Sequence, residues 1–163
     1  MPLKRAGRAS SPMYEQLSKR VDHVFKLANQ IARQYELDYV GTEHLLLAIN
    51  QEGTGLGAEV LRRHKISHEK LKAEIDKLIQ ASLEDTWVFG RLPGTPHFRN
   101  VVALAIEEAR QLKNKQVCTE HLLLGLLGEK GCVAQRALKE LGLTAKQVRD
   151  ELLQMQAGQS KTQ

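Results

Sequence analysis

The feature that most constrains the fold of this chain is an internal repeat with an offset of 77 residues. The segment Thr42–Leu47, which reads Thr-Glu-His-Leu-Leu-Leu, recurs unchanged as Thr119–Leu124. Without any gap, the same shift aligns further identical residues: Val24 with Val101, Leu27 with Leu104, Ala32–Gln34 with Ala109–Gln111, and Glu52 with Glu129. The chain is therefore a duplicated module, and both halves are expected to share one fold.

Each copy is expected to form four helices. Ser18 and Thr95 are good N-cap residues for the first helix of each copy, and the apolar residues that follow recur at spacings of three and four, which predicts one apolar face. Thr42 and Thr119 are expected to cap the second helix, which is apolar nearly all round and should be buried in its module. A short third helix and a longer fourth helix complete the copy.

The predicted domain organisation follows from this pattern. One four-helix module of about 60 residues would be marginally stable alone, so the two repeats are expected to pack together into one all-α domain. Trp87 and Phe89 are expected to hold the linker on the bundle or, as an alternative, to form an exposed docking spot. The predicted segments are a flexible basic tail (1–13), the first repeat (14–79), a linker (80–94), the second repeat (95–155) and a flexible tail (156–163).

The net charge of +5 comes from the ends of the chain. Without the four basic residues of the predicted tails, residues 14–155 contain 20 basic and 19 acidic side chains. Nucleic-acid binding needs cations clustered on a folded element, so it is not expected, although binding through the basic tails stays an alternative. The four basic residues are Lys4, Arg5, Arg8 and Lys161.

The sequence favours a cytoplasmic protein that is not inserted in a membrane. Two cysteines make no disulfide framework, which indicates a reducing compartment. The longest apolar runs, such as Leu45–Ile49, are far too short to span a bilayer. The first twelve residues lack the apolar segment of a secretory signal; because they are rich in Arg and Ser and have no acidic residue, organelle targeting stays an alternative to a solvated tail.

The doubled Val-x-Thr-Glu-His-Leu-Leu-Leu pattern and the turn at Glu52–Gly55 closely resemble the N-terminal domain family of Clp-type AAA+ unfoldases, over Leu17–Met155. The resemblance implies a non-catalytic all-α domain that captures substrates or adaptors for a protease-coupled ATPase. The implied partners are a Clp-type unfoldase or Clp protease subunits, together with substrate proteins or adaptors. No Walker-type loop and no cofactor motif occurs, so we expect either a free-standing relative of this domain or the N-terminal part of a larger unfoldase.

The same resemblance implies two ligand-binding pockets. Some members of the family bind arginine-phosphorylated substrates through the Glu of the second helix and the residue that caps the first. Matching by position within each copy pairs Ser18 with Glu43 and Thr95 with Glu120. A helix N-terminus can hold a phosphate and a carboxylate can accept from a guanidinium. The alternatives are that both glutamates only complement the helix dipole, or that the ligand is another peptide.

The sequence departs from the family pattern beside the two caps. Family members often follow the cap with x-Arg-Ala, whereas this chain has Lys19–Val21 in the first copy and Pro96–Phe98 in the second. The second copy therefore has His97 in place of the arginine, and Ser18 replaces the commoner threonine. Phosphoarginine recognition is accordingly expected more at the first pocket than at the second.

Neither a metal site nor a catalytic site is expected. Cys118, His121 and Cys132 are potential zinc ligands, but the first copy has Gly41 in place of Cys118, and closely paired ligands are lacking. His44 and His121 are expected to be buried or to cap a helix. No hydrolase motif such as Gly-x-Ser-x-Gly occurs, so the chain is expected to bind rather than to catalyse. The alternative function is a structural or regulatory accessory subunit that docks on a Clp protease complex without binding substrate.

Overall fold

A computed structural model describes residues 17–81 and 95–161, with side chains described over 17–78 and 95–156. Within these ranges the chain forms eight α-helices, four in each repeat, which confirms the all-α prediction. The tail 1–13 and most of the linker, including Trp87 and Phe89, lie outside the described residues. The helices are α1 (Lys19–Gln34), α2 (Thr42–Glu52), α3 (Leu56–Arg63), α4 (His68–Ala81), α5 (Pro96–Gln111), α6 (Thr119–Gly128), α7 (Val133–Glu140) and α8 (Ala145–Lys161).

The first helix of each repeat begins as its capping residue predicts. The Ser18 hydroxyl accepts a hydrogen bond from the Val21 N–H at 3.1 Å, and the Thr95 hydroxyl accepts one from the Phe98 N–H at the same distance. Pro96 occupies the first helical position of α5, where its missing N–H costs nothing. Both predicted caps are thus present.

The second helix of each repeat begins differently from the prediction. The N-cap residues of α2 and α6 are Gly41 and Cys118, so the threonines that follow are the first helical residues rather than caps. In place of a hydroxyl cap, the imidazole Nδ1 of His44 accepts the Gly41 N–H at 2.8 Å, and His121 accepts the Cys118 N–H at the same distance. This is one half of a capping box, supplied by a histidine in the first turn.

The two second helices form the centre of the molecule. Leu45, Leu46, Leu122 and Leu123 are fully buried, as the all-round apolar pattern predicts. α2 packs against α1 of its own repeat and α7 of the other, while α6 packs against α5 and α3. Each short third helix therefore packs against the second helix of the other repeat, and one continuous apolar core spans both repeats. This confirms the prediction of a single packed domain.

Two helices extend beyond the expected segment boundaries. α4 continues to Ala81 and α8 continues to Lys161, so most of the predicted C-terminal tail is helical. The reason is local: no proline interrupts α8, and its single Gly158 costs only about 1 kcal/mol relative to alanine. Within the described ranges, no helix has the length and apolarity that crossing a membrane requires.

Candidate functional site

The capping residue of each repeat lies beside the second helix of the other repeat. The Ser18 N–H donates to the Val117 carbonyl at 3.0 Å, and Leu17 forms a parallel bridge with Val117. The Thr95 N–H donates to the Val40 carbonyl at 3.1 Å in the equivalent way. The predicted pairing of Ser18 with Glu43 and of Thr95 with Glu120 is therefore wrong: each cap lies beside the strand-like segment that leads into the opposite glutamate.

Since the cap of each repeat lies beside the second helix of the other repeat, the molecule has two equivalent corners. Both place the N-terminus of a first helix from one repeat against the N-terminus of a second helix from the other. We call them the first corner (Ser18, Arg20 and Glu52 with Cys118, Thr119 and Glu120) and the second corner (Thr95, His97 and Glu129 with Gly41, Thr42 and Glu43).

In the first corner a buried carboxylate lies near an accessible guanidinium. Glu120 is 8% exposed, and burial raises the pKa of its carboxyl, while its own N–H and the Arg20 charge oppose that rise. The Arg20 side chain is 51% exposed, and its Nε lies 3.5 Å from Glu52 Oε2. The Arg20 guanidinium and the N-terminus of α1 are therefore accessible to solvent in this corner, whereas the Glu120 carboxylate is almost completely buried.

Cys118 connects the two sides of the first corner. Burial raises the pKa of its thiol, and the negative charge of Glu120 raises it further. A hydrogen bond with the Ser18 hydroxyl and the positive charge of Arg20 act in the opposite direction. These four side chains are thus close enough to influence one another, although they come from two repeats.

The second corner has the same backbone arrangement as the first but different side chains. His97 Nδ1 lies 2.8 Å from Glu129 Oε2, in the positions that Arg20 and Glu52 occupy in the first corner. Asn100 also donates to this carboxylate at 2.8 Å, and the His97 and Asn100 side chains lower the pKa of Glu129 against the effect of burial. Thr95 is buried, so the second corner is less open than the first.

The two glutamates cannot adopt the same position. The Glu43 carboxylate lies over Gly41, where an added Cβ would come within 2.6 Å of both carboxylate oxygens. At the equivalent position Cys118 has a side chain, so Glu120 must leave that space. Glu43 is 5% exposed, and the access of any ligand to this carboxylate is narrow.

The threonines at the start of α2 and α6 join the repeats, a role that the sequence interpretation missed. The Thr119 hydroxyl accepts the Gly57 N–H at 3.0 Å, and the Thr42 hydroxyl accepts the Ala134 N–H at 3.3 Å. Both bonds run from a second helix to the third helix of the other repeat. The one sequence feature that could have indicated this role is that the two repeats have an identical threonine at this position.

The cluster of Cys118, Glu120 and His121 does not fit a metal. Their ligand atoms lie within 4.8 Å of one another. However, His121 Nδ1 accepts the Cys118 N–H, and its Nε2 lies 2.7 Å from the Asn114 side-chain amide. Burial also favours the protonated Cys118 thiol over the thiolate that zinc binds. A metal would have to break the helix cap at Nδ1 or displace Asn114 from Nε2, and we assign none.

Close relatives of the chain are chaperones of the Clp system. It is 36% identical over 152 residues to the chloroplastic chaperone protein ClpC2 of Oryza sativa subsp. japonica, which covers 93% of this chain and 16% of the relative. It is also 36% identical over 156 residues to the chloroplastic chaperone protein ClpC1 of Arabidopsis thaliana, covering 95% of this chain and 17% of the relative. The chain therefore spans about one sixth of the length of these curated relatives.

The solved structures with the same fold include N-terminal domains of other chaperones. That of the chaperone ClpD from Arabidopsis thaliana has a TM-score of 0.67 at 20% identity, covering 88% of this chain and 96% of that chain. That of Hsp104 from Candida albicans has the same TM-score at 14% identity, covering 86% and 91%. Residues 16–86 and 94–163 each match the family model described as Clp repeat (R) N-terminal domain. The chain therefore belongs to this Clp N-terminal domain family.

Proposed function

We propose that this chain is a non-catalytic binding module that recognises substrate proteins or adaptors for a Clp-type ATPase–protease system. We further propose that its ligands include arginine-phosphorylated segments. The observation that supports this most directly is the first corner, where an accessible helix N-terminus and Arg20 lie beside the carboxylate of Glu120. A cation and an anion at adjoining positions complement a ligand that carries a phosphate next to a guanidinium.

Each part of such a ligand has a partner in the first corner. The phosphate would bind the Arg20 guanidinium and the N–H groups at the start of α1, where the helix dipole favours a negative charge. The ligand guanidinium would donate to the Glu120 carboxylate, a charge-assisted bond. Because burial raises the pKa of this carboxyl, an incoming cation would also stabilise its ionised form.

The second corner would bind the same ligand more weakly. His97 takes the place of Arg20 and already contacts Glu129, and Thr95 is less accessible than Ser18. Arginine can hold a phosphate with two parallel hydrogen bonds, which histidine cannot. We therefore expect one dominant site per chain, at the first corner.

Titration of free phosphoarginine, followed by calorimetry and by amide NMR shifts, tests the ligand. The wild type should bind saturably, and Glu120→Gln should weaken binding by tenfold or more, since a hydrogen bond to a charged group contributes about 1.5–3 kcal/mol. Glu43→Gln should have a smaller effect, and Glu140→Gln, which alters an exposed glutamate of α7, is the matched control. Wild type that shows no saturation would end the phosphoarginine proposal.

A pull-down from the source cell with chemical crosslinking tests the partner. Recovery of a Clp-type ATPase together with substrate proteins or adaptors would support the proposal. Recovery of Clp core subunits alone, unchanged by Glu120→Gln, would instead favour an accessory subunit that never touches substrate. Salt-sensitive DNA binding that disappears on deletion of residues 1–12 would favour the tails as a nucleic-acid site.

The cytoplasm is proposed as the compartment in which the chain acts. The support is chemical: both Cys118 and Cys132 are free thiols. The curated relatives described above are named as chloroplastic, so the experiment must distinguish an organelle from the cytoplasm. Localisation of a C-terminally tagged chain, with and without residues 1–12, would do so.

A further inference from the structure

The two buried histidines differ in what their second ring nitrogen contacts. Nδ1 of each ring accepts a backbone N–H, so Nε2 carries the proton of the neutral ring and acts as a donor. In His121, Nε2 lies 2.7 Å from the side-chain amide of Asn114, whose oxygen can accept this hydrogen bond. In His44, Nε2 has no hydrogen-bond partner within the described part of the chain. Because a buried donor without a partner is destabilising, an acceptor close to His44 is expected to complete this bond.

The Glu43 carboxylate is an acceptor that lies beside this nitrogen. Its Oε1 is 3.8 Å from His44 Nε2, and both side chains are buried. A movement of about 1 Å would bring the two atoms to hydrogen-bond distance. The carboxylate lies over Gly41, in a space that a Cβ at this position would overlap. The absence of a side chain at position 41 therefore lets the carboxylate lie beside His44.

In the second repeat, Asn114 gives the histidine a different partner. It stands where the first repeat has Leu37, whose side chain offers no hydrogen-bond acceptor. The His121 Nε2–H therefore has an acceptor that is not a carboxylate. Glu120 is nevertheless near, because one of its carboxylate oxygens lies within 4.8 Å of a His121 ring nitrogen. The presence of Asn114 thus decides which acceptor this histidine uses.

Cys118 separates Glu120 from the histidine by occupying space. It stands where the first repeat has Gly41, so its Cβ takes the place in which the Glu43 carboxylate lies in the first repeat. Glu120 has no such position at the start of α6. It lies instead close enough to Arg20 for the positive charge of that residue to act on it. The Glu120 carboxylate is therefore part of the first corner rather than a partner of the buried ring.

We propose that Asn114 and Cys118 are positioning residues that keep the Glu120 carboxylate available to a ligand of the first corner. The inference rests on the proposed function, in which this carboxylate accepts hydrogen bonds from a ligand guanidinium. In the first repeat the residues at the equivalent positions have the opposite effect, and His44 holds the Glu43 carboxylate. The two corners thus differ in the availability of their carboxylates as well as in the cation on the first helix.

The Nε2–H proton resonances of the two histidines test these hydrogen bonds without any ligand. Such a resonance moves downfield as the hydrogen bond becomes shorter, and bonds to a carboxylate are shorter than bonds to an amide. We expect the His44 proton downfield of the His121 proton in the wild type. In Asn114→Leu/Cys118→Gly, which introduces the residues of the first repeat, the His121 proton should move to the His44 position. A His121 proton that stays in place, or is lost through exchange with water, would overturn the proposal.

Titration with free phosphoarginine tests whether the position of Glu120 governs binding. The double variant should bind about tenfold more weakly than the wild type, the effect expected for loss of a hydrogen bond to a charged group. Asn114→Asp, which keeps an acceptor, should retain the wild-type affinity. Gln116→Leu, an exposed polar-to-apolar change in the same loop, is the matched control and should also retain it.

The outcomes separate this inference from the proposed function. A shifted His121 proton with unchanged phosphoarginine affinity in the double variant would overturn the inference, because the carboxylate would have moved without effect. Absence of binding by the wild type would instead contradict the proposed function. In that case the proton resonances would still show whether Asn114 and Cys118 separate Glu120 from the histidine.

Discussion

His44 and His121 occupy equivalent positions in the first turns of α2 and α6, and both rings are fully buried. Burial lowers the pKa of each ring to about 4, so both are neutral at pH 7. Since Nδ1 of each ring accepts a backbone N–H, the proton of the neutral ring is on Nε2. In His44 this Nε2 lies 3.8 Å from the Glu43 carboxylate, whereas in His121 it faces Asn114.

We predict that the chain loses stability as the pH falls from about 6.5 towards 4. In the unfolded chain a histidine has a pKa of about 6.5, so over this interval the unfolded state binds more protons than the folded state. The full loss is on the order of 3 kcal/mol per histidine at and below pH 4. Urea denaturation at pH 7.5, 6, 5 and 4 measures it. In His121→Gln, the loss of unfolding free energy between pH 6.5 and pH 4 should be about half that of the wild type. A loss equal to that of the wild type would show that the buried histidines do not cause it.

A second prediction concerns Gly41, over which the Glu43 carboxylate lies. Gly41→Ala should destabilise the chain by about 1–3 kcal/mol, because the new methyl group overlaps this carboxylate and must displace it. Cys118→Ala, at the equivalent position, adds no atom and should cost less than 1 kcal/mol. Denaturation of both variants checks the difference, and equal costs would show that Glu43 moves freely.

At the residue scale the sequence predicts the caps of the two first helices correctly, but not the residue that lies opposite each cap. Ser18 and Thr95 were identifiable because a capping bond is formed within four residues. The sequence did not show that each cap lies beside the glutamate of the other copy. A cap and a glutamate 25 positions apart in each copy can be paired within a copy or between the two copies. His44 and His121 were expected to be buried or to cap a helix, and both rings do both. The N-cap positions of α2 and α6 were nevertheless misassigned, because a threonine before an acidic residue resembles an ordinary N-cap.

The helices α5 and α6 approach each other closely at Gly125. A Cβ at Gly125 would come within 2.6 Å of the Val101 carbonyl oxygen, which is backbone and cannot move aside cheaply. The equivalent residue in the first repeat is Ala48, which is fully buried and whose Cβ is accommodated there. The α5–α6 contact therefore leaves no room for a side chain at a position where α2 has the methyl group of Ala48.

We predict that Gly125→Ala destabilises the chain by about 1–3 kcal/mol even though alanine favours helices. The reverse change, Ala48→Gly, should cost about 1 kcal/mol through helix propensity, plus a small loss of packing. Urea denaturation of both variants measures the two costs. A stabilised Gly125→Ala chain would mean that α5 and α6 separate without penalty.

The periodicity of apolar residues was sufficient to predict all eight described helices. The ends were less predictable, because three of them close with a non-glycine residue in the left-handed region: Glu36, Lys65 and Lys113 have φ of 58°, 58° and 61°. Such residues carry no glycine signal, although Gly142 stands at the position equivalent to Lys65. The extension of α8 to Lys161 was hidden by a polar composition that suits both helix and coil.

On the scale of the whole molecule, the repeats complete each other. The Ser18 and Thr95 N–H groups donate hydrogen bonds across the boundary between them, and the Thr42 and Thr119 hydroxyls accept hydrogen bonds across it. One apolar core spans both repeats. We predict that fragments 14–81 and 95–163 each lack a cooperative unfolding transition alone. Mixing them should restore helical circular dichroism and one transition. A fragment that unfolds cooperatively by itself would show that the crossing contacts are dispensable.

The exchange of caps has a consequence for the history of the chain. A single ancestral module could have displayed such a corner only as a symmetric homodimer, with both corners identical by symmetry. In one polypeptide that constraint is absent, and the two corners do differ: Arg20 stands at the first and His97 at the equivalent position of the second. Since each corner is built from both repeats, a substitution in one repeat can alter a corner to which the other repeat also contributes.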